Sequence, residues 1–154
     1  RRCQEDDRRD RKSAEPLRAG WLRVKVGYRQ LLEDANARIE TLGAEDVRAL
    51  RERGEVLLVD LRDRRELERD GRIPGAFHCP RGMLEFWIDP ESPYHKPVFA
   101  APHRFVFYCA SGWRSALATR TAQDMGLQPV AHLAGGFTAW RDAGFPIEPV
   151  TAKT

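Results

Sequence analysis

Phe105-Val106-Phe107-Tyr108-Cys109-Ala110-Ser111-Gly112-Trp113-Arg114 is the stretch whose reading decides the fold. Four large apolar or aromatic residues in a row have the character of a parallel strand covered on both faces. A helical pattern follows over 113–125, with Gly126 as its stop. A tight loop therefore holds a cysteine at the carboxyl end of a strand, with its amides turned towards the start of a helix. Amides gathered in such a turn, together with the positive end of the helix dipole, form an anion site. Thiolate is the reactive form of cysteine, and this field stabilises it. The pattern predicts a nucleophilic Cys109 that works on an anionic substrate.

Outward from this loop, apolar runs and helical patterns alternate. Residues 39–42 read as a short strand, and 44–53 as a helix with Val47 and Leu50 inward and Gly54 as its stop. Val56-Leu57-Leu58-Val59 is a second doubly covered strand. The charged stretch 63–70 reads as a short exposed helix whose charges are a solvated face. Residues 76–79 form a strand before Pro80, and Met83, Leu84, Phe86 and Trp87 give the next helix a bulky apolar face. The proline-rich stretch 89–102 reads as a loop with little regular structure. The last strand is 130–133, and a helix over 137–143, ended by Gly144, closes the chain. This alternation predicts an α/β domain with a mainly parallel sheet. Ligands of such sheets bind beyond the carboxyl ends of the strands. Cys109, Asp60 and the turn after Leu133 all fall at that edge.

The 154 residues suffice for one domain with an extension, and no internal repeat is visible. Residues 1–22 alternate arginines with Glu5, Asp6, Asp7 and Asp10 and hold almost no large apolar side chain. A disordered, charged tail is expected, since such a segment cannot offset its ordering entropy. The interleaved acids cancel most of the field that a basic nucleic-acid arm would need. Over 23–39, Leu31, Leu32, Ala35 and Ile39 recur at helical spacing, which suggests an amphipathic helix packed on the domain proper at 40–150. A net charge of +3 is too small and too mixed for a nucleic-acid partner, though it favours small anions. No apolar run approaches a membrane span, and the charged start lacks signal-peptide character. The first residue is not methionine, which is read as a processed or misplaced start. Three widely spaced cysteines argue against a disulfide framework and for a reducing, cytoplasmic setting.

Four short motifs also carry a family resemblance. Cys109-x-x-Gly112-x-Arg114-Ser115 is similar to the active-site loop of single-domain rhodanese-like sulfurtransferases. Val59-Asp60-Leu61-Arg62 resembles that family's early Asp-x-Arg signature, and Arg72-Ile73-Pro74-Gly75-Ala76 resembles its Ile-Pro-Gly-Ala turn. Gly135-Gly136-Phe137-x-x-Trp140 resembles the turn and helix that close the domain. The likeness runs from about Glu40 to Ile147. It implies a three-layer rhodanese-like fold and a transfer reaction that requires no metal or organic cofactor. Cys109 would attack the outer sulfur of thiosulfate or of a persulfide, with sulfite or a thiol leaving. The cysteine persulfide would then pass its sulfur to cyanide, a thiol or a protein acceptor.

Each neighbour of the nucleophile has an expected part. The amides of Ala110, Ser111, Gly112, Trp113, Arg114 and Ser115 can stabilise the thiolate and bind the oxygens of a sulfonate-like donor. Gly112 permits a turn that other residues resist. Trp113 forms part of the mouth. Arg114 adds a cation or holds the loop through a carboxylate such as Asp60. Asp60 itself orients Arg114 or braces the loop, and Arg62 pairs with an acid such as Glu66. Gly135-Gly136 lets the backbone pass close to the loop.

Rival readings differ in loop length and in the fate of the cysteine. Tyrosine phosphatases place five residues between cysteine and arginine, whereas here four separate Cys109 from Arg114 and the phosphatase position is Ser115. The shorter loop makes a smaller cradle, which also disfavours arsenate reduction. A sulfur carrier that relays to a partner protein, or a regulatory binding module, stays open as the alternative. Cys79 reads as a buried strand residue, with a resolving thiol as the other possibility, and Cys3 lies in the tail. His78, His95, His103 and His132 show no metal-ligand spacing, and none is placed beside Cys109 as a general base. Tyr94, His95 and Lys96 read as surface, or else as a lid, while Trp87 and Trp140 read as packing residues.

Overall fold

The computed structural model describes residues 24–152, so the charged tail expected over 1–22 lies outside the described residues. The chain divides into two units, 1–31 and 32–154. In the first, Val24, Val26 and Tyr28 are exposed. Helix α1 spans Tyr28–Asn36, within the 23–39 segment read as amphipathic, and near its end Ala35 is buried.

Strand β4 (Phe105–Tyr108) explains the layering of the second unit. All four of its residues are buried, and a strand's pleat sends successive side chains to opposite faces. Phe105 and Phe107 enter an apolar cluster with Val59, Leu84, Ile88 and Ala118. Val106 and Tyr108 enter another with Val47, Leu58, Leu133 and Trp140. A core side chain of this size stabilises the fold by roughly 1.5–3 kcal/mol when fully buried. Beside β4 lie β2 (Leu57–Asp60) and β5 (Val130–Leu133), with β1 (Glu40–Leu42) and β3 (Phe77–His78) at the edges. The order is β1-β5-β4-β2-β3, and every pairing within it is parallel.

Six α-helices occur among the described residues. Helices α2 (Ala44–Glu52) and α6 (Gly136–Asp142) cover one face through Val47, Phe137 and Trp140, and α4 (Leu84–Ile88) and α5 (Trp113–Asp124) cover the other through Leu84, Ile88, Ala118 and Ala122. The result is the expected three-layer α/β fold, parallel throughout.

Two local expectations need correction. Helix α3 (Arg64–Asp70) is not merely a solvated face. Its Leu67 is wholly buried, and its start carries a capping box in which Asp63 Oδ1 accepts from Glu66 N at 3.1 Å and Glu66 Oε2 accepts from Asp63 N at 2.9 Å. The stretch 89–102 likewise contains a turn of 3₁₀ helix, Pro97–Ala100. Phe99 anchors that turn, stacked on Phe105 and edge-on to Phe77, so tertiary packing overrides a composition that reads as loop.

Candidate active site

The loop between β4 and α5 wraps the Cys109 sulfur in backbone donors. Gly112 N lies 3.2 Å from Sγ and Ser115 N 3.4 Å, both donating to it. Gly112, which precedes α5, has φ 107°, a left-handed conformation that glycine adopts at no steric cost. Its rotation turns the chain so that its own amide faces back to the sulfur. A thiolate at Cys109 thus meets two amide dipoles and the positive end of α5. Cys109 is only 1% exposed.

Helix α6 holds the loop from outside. Phe137 N donates to Cys109 O at 2.8 Å and Thr138 N to Ala110 O at 3.0 Å. These carbonyls, which would repel an anion, are engaged by another helix. A Cβ at Gly136 would stand 2.5 Å from Cys109 O and 2.8 Å from Ala110 O, so only glycine permits this approach. The close passage expected of Gly135-Gly136 therefore occurs at Gly136.

The two arginines exchange the partners expected of them. Arg114 Nη1 and Nη2 donate to Glu66 Oε2 and Oε1, each at 2.8 Å, so Glu66 and not Asp60 orients Arg114. Arg62 Nε donates to Asp60 Oδ1 at 3.0 Å and Nη2 to Asp60 Oδ2 at 2.7 Å, so its partner is Asp60 and not Glu66. Asp60 and Arg62 are two residues apart at the end of β2, a spacing that puts both on one side of an extended chain. Glu66, fixed by the capping box of α3, is left to meet Arg114.

Arg62 also donates to Gly71 O at 2.8 Å, and its guanidinium lies 4.2 Å from the Phe137 ring centroid. It thereby braces the end of β2 against the start of α6. Burial opposes its charge, but the hydrogen bonds and charge of Asp60 prevail and raise it above the ordinary arginine value. The hydrogen bonds from Arg114 pull the Glu66 carboxyl down to about 2, and those to Glu66 raise Arg114 in turn.

Ser115 extends the site inward. Its wholly buried Oγ lies 3.5 Å from Cys109 Sγ and 3.0 Å from His132 Nδ1. His132 Nε2 is 3.2 Å from Thr41 Oγ1. Burial pushes the His132 imidazole below its usual value. Sequence reading found no histidine beside Cys109, and His132 stands one hydroxyl away from it. The available signal was a polar residue in an otherwise apolar strand, Val130-Ala131-His132-Leu133, which pairs with the strand that ends at the cysteine.

The remaining candidates fall outside this constellation or at its rim. Ser111 is exposed and Ala110 half-buried, while Trp113 is 58% exposed. Cys79 is buried in the core with its thiol pushed up to about 12 by burial, and both it and Cys109 are free cysteines. Lys96 Nζ lies 5.0 Å from the Trp87 ring centroid, and Tyr94 is exposed. Trp140 is wholly buried and donates to Pro146 O at 2.7 Å. Among the described residues no group of three or more histidine, cysteine or acidic side chains could hold a metal ion. No described helix is long and apolar enough to cross a membrane.

Comparison with known proteins places this geometry in a family. The profile of the rhodanese-like domain matches residues 43–143. A mouse thiosulfate sulfurtransferase/rhodanese-like domain-containing protein 3 is 28% identical over 100 residues, which are 62% of this chain and 64% of that protein. The chain thus matches just under two thirds of that relative's length. A solved structure from Rhodopseudomonas palustris, described as a protein of unknown function and possible tyrosine phosphatase, is 62% identical with a TM-score of 0.79 and covers 81% of this chain and 96% of its own. The human single-domain sulfurtransferase is 30% identical with a TM-score of 0.57, over 66% of this chain and 95% of its own. Because the profile match runs from the residue before α2 to the residue after α6, the span that builds and closes the loop, this chain belongs to the rhodanese-like domain family.

Proposed function

We propose that the chain is a sulfurtransferase in which Cys109 carries the transferred sulfur as a persulfide. The observation that carries this reading is the convergence of the Gly112 and Ser115 amides on Cys109 Sγ at the start of α5. The thiolate attacks the outer sulfur of thiosulfate. That sulfur's bond to the sulfonate breaks, and sulfite leaves with the electron pair. A persulfide donor reacts in the same way and releases a thiol. Cyanide or an acceptor thiolate then attacks the terminal sulfur and returns Cys109 as thiolate. The loop holds an anion at the same place in each half-reaction, which is the requirement for stabilising both transition states. Ala110, Ser111, Trp113 and Arg114 form the remainder of the mouth that receives the donor, and Asp60 and Arg62 support the loop from below. A free thiol of this kind suits a reducing compartment such as the cytoplasm. Transfer to a partner protein, the carrier role, uses the same persulfide.

The description of the Rhodopseudomonas relative favours a phosphatase as the second reading. Two features oppose it. Four residues separate Cys109 from Arg114, one fewer than the phosphatase loop. Both terminal nitrogens of Arg114 are committed to Glu66, where a phosphatase needs its arginine on the phosphoryl oxygens. One preparation separates the readings when assayed for thiocyanate formation from thiosulfate and cyanide and for hydrolysis of p-nitrophenyl phosphate. Thiocyanate formation that Cys109→Ala abolishes, with no phosphate released, is expected. Phosphate release that depends on Cys109, with no thiocyanate, would overturn the proposal.

A further inference from the structure

We propose that His132 is a positioning residue for the nucleophile: through the Ser115 hydroxyl it takes up the proton that Cys109 releases and holds it while the sulfur is anionic. This rests on reading Cys109 as the nucleophile, and it adds a proton acceptor that neither the loop motif nor the backbone cradle contains.

The chain of contacts is continuous, buried from Cys109 through Ser115 to His132 and reaching the surface at Thr41. Cys109 Sγ to Ser115 Oγ is 3.5 Å, Ser115 Oγ to His132 Nδ1 is 3.0 Å, and His132 Nε2 to Thr41 Oγ1 is 3.2 Å. Cys109 is 1% exposed, Ser115 0% and His132 4%, so at rest these three groups are one another's partners. A neutral imidazole offers one donor and one acceptor. With Nε2–H donated to Thr41, Nδ1 accepts the Ser115 hydroxyl proton, and the oxygen of that hydroxyl accepts the Cys109 S–H. Every polar atom is then satisfied and the donors all point one way.

Ionisation reverses two of those bonds without moving a heavy atom. The S–H bond breaks as an Oγ–H bond forms, the former Oγ–H bond breaks, and Nδ1–H forms. One proton passes from sulfur to imidazole and no electrons are exchanged between the groups. Ser115 then donates to the thiolate and accepts from Nδ1–H, while Nε2–H stays on Thr41. The persulfide anion carries the same single charge as the thiolate, so the proton can stay on His132 through both half-reactions.

The polar groups that face this imidazole come from the strand and the helix beside it. They are Thr41 on β1 and Ser115 on α5, with Cys109 of the β4–α5 loop beyond the Ser115 hydroxyl. The formal charge that acts on the sulfur, Arg114, is held by Glu66 on α3. Burial alone depresses His132, which favours the neutral imidazole, and an anionic neighbour works against that depression.

The test reads thiolate formation without any sulfur donor. Alkylation of Cys109 by iodoacetamide, followed at the Cys109 peptide by mass spectrometry from pH 5 to pH 10, compares wild type with His132→Asn and Ser115→Ala. Both variants are expected to react at neutral pH roughly tenfold or more slowly. They should approach the wild-type rate at the alkaline limit, where hydroxide replaces the imidazole. A loop merely distorted by the substitution stays slow there. As a second measurement, imidazole ¹⁵N shifts of His132 are titrated in wild type and Cys109→Ala. His132 is expected to stay protonated to higher pH in wild type. An unchanged alkylation profile in folded His132→Asn, or a His132 titration indifferent to Cys109→Ala, overturns the relay. If sulfur loading persists in that case, the sulfurtransferase reading survives alone. If the relay behaves as expected and no donor loads sulfur, that reading fails alone.

Discussion

Arg62–Asp60 and Arg114–Glu66 are both two-point arginine–carboxylate pairs, yet they inhabit different solvents. The first pair is sealed, with each side chain 1% exposed, whereas Arg114 and Glu66 are 42% and 15% exposed. A guanidinium removed from water needs its carboxylate absolutely, because a lone buried charge is not tolerated. One at the surface has water as an alternative partner. The same residue pairing is therefore a sealed brace in one place and a water-accessible pair beside the Cys109 loop in the other.

Breaking the sealed pair should have the largest effect. Asp60→Ala leaves the Arg62 charge buried and unpaired, a loss of about 3–5 kcal/mol to be measured by urea denaturation. A loss near that of an ordinary surface substitution would mean that Arg62 finds another partner. Next comes the contact between α6 and the loop. Gly136→Ala places a methyl against the Cys109 and Ala110 carbonyls at a φ of 59°. It should cost about 1–3 kcal/mol of stability and lower sulfur loading by tenfold or more, since the loop itself must move. Retained loading would show that the loop tolerates this displacement.

The open pair should yield less. Glu66→Gln should cost about 1 kcal/mol or less at pH 7 because solvent screens the pair. Its signature lies in the pH dependence. The Glu66 carboxyl is held at about 2, below its ordinary 4.5, so its contribution is complete above pH 4.5 and is lost as pH falls towards 2. Stability of wild type minus that of Glu66→Gln should shrink across that window, and a constant difference would contradict the assignment. Smallest of all, Cys79→Ala should leave sulfur loading unchanged, because that thiol is un-ionised and belongs to the core.

The contrast also explains what could be read beforehand. Phe105 to Tyr108 and most of Val56 to Val59 declared themselves as strands because doubly covered strands are apolar at consecutive positions, a local property. The loop was legible for the same reason. A cysteine at a strand end, a glycine and a helix start fix one another within a few residues. Ion-pair partners were not legible. Whether Arg114 meets Asp60 or Glu66 depends on where the capping box sets α3, a tertiary matter with no local mark. His132 left a trace, a polar side chain in an apolar strand, but its partners come from β1 and α5, far away in sequence. Phe99 was missed likewise, since a proline-rich stretch gives no sign that one of its aromatics reaches the core.

The most direct measurement is the intact mass of the reduced protein after incubation with thiosulfate, for wild type and Cys109→Ala, followed by cyanide. One added sulfur atom is expected on wild type alone, discharged by cyanide as thiocyanate. An equal gain on Cys109→Ala, or no gain on wild type with either thiosulfate or a persulfide donor, would contradict the assignment of Cys109 as the sulfur-carrying nucleophile.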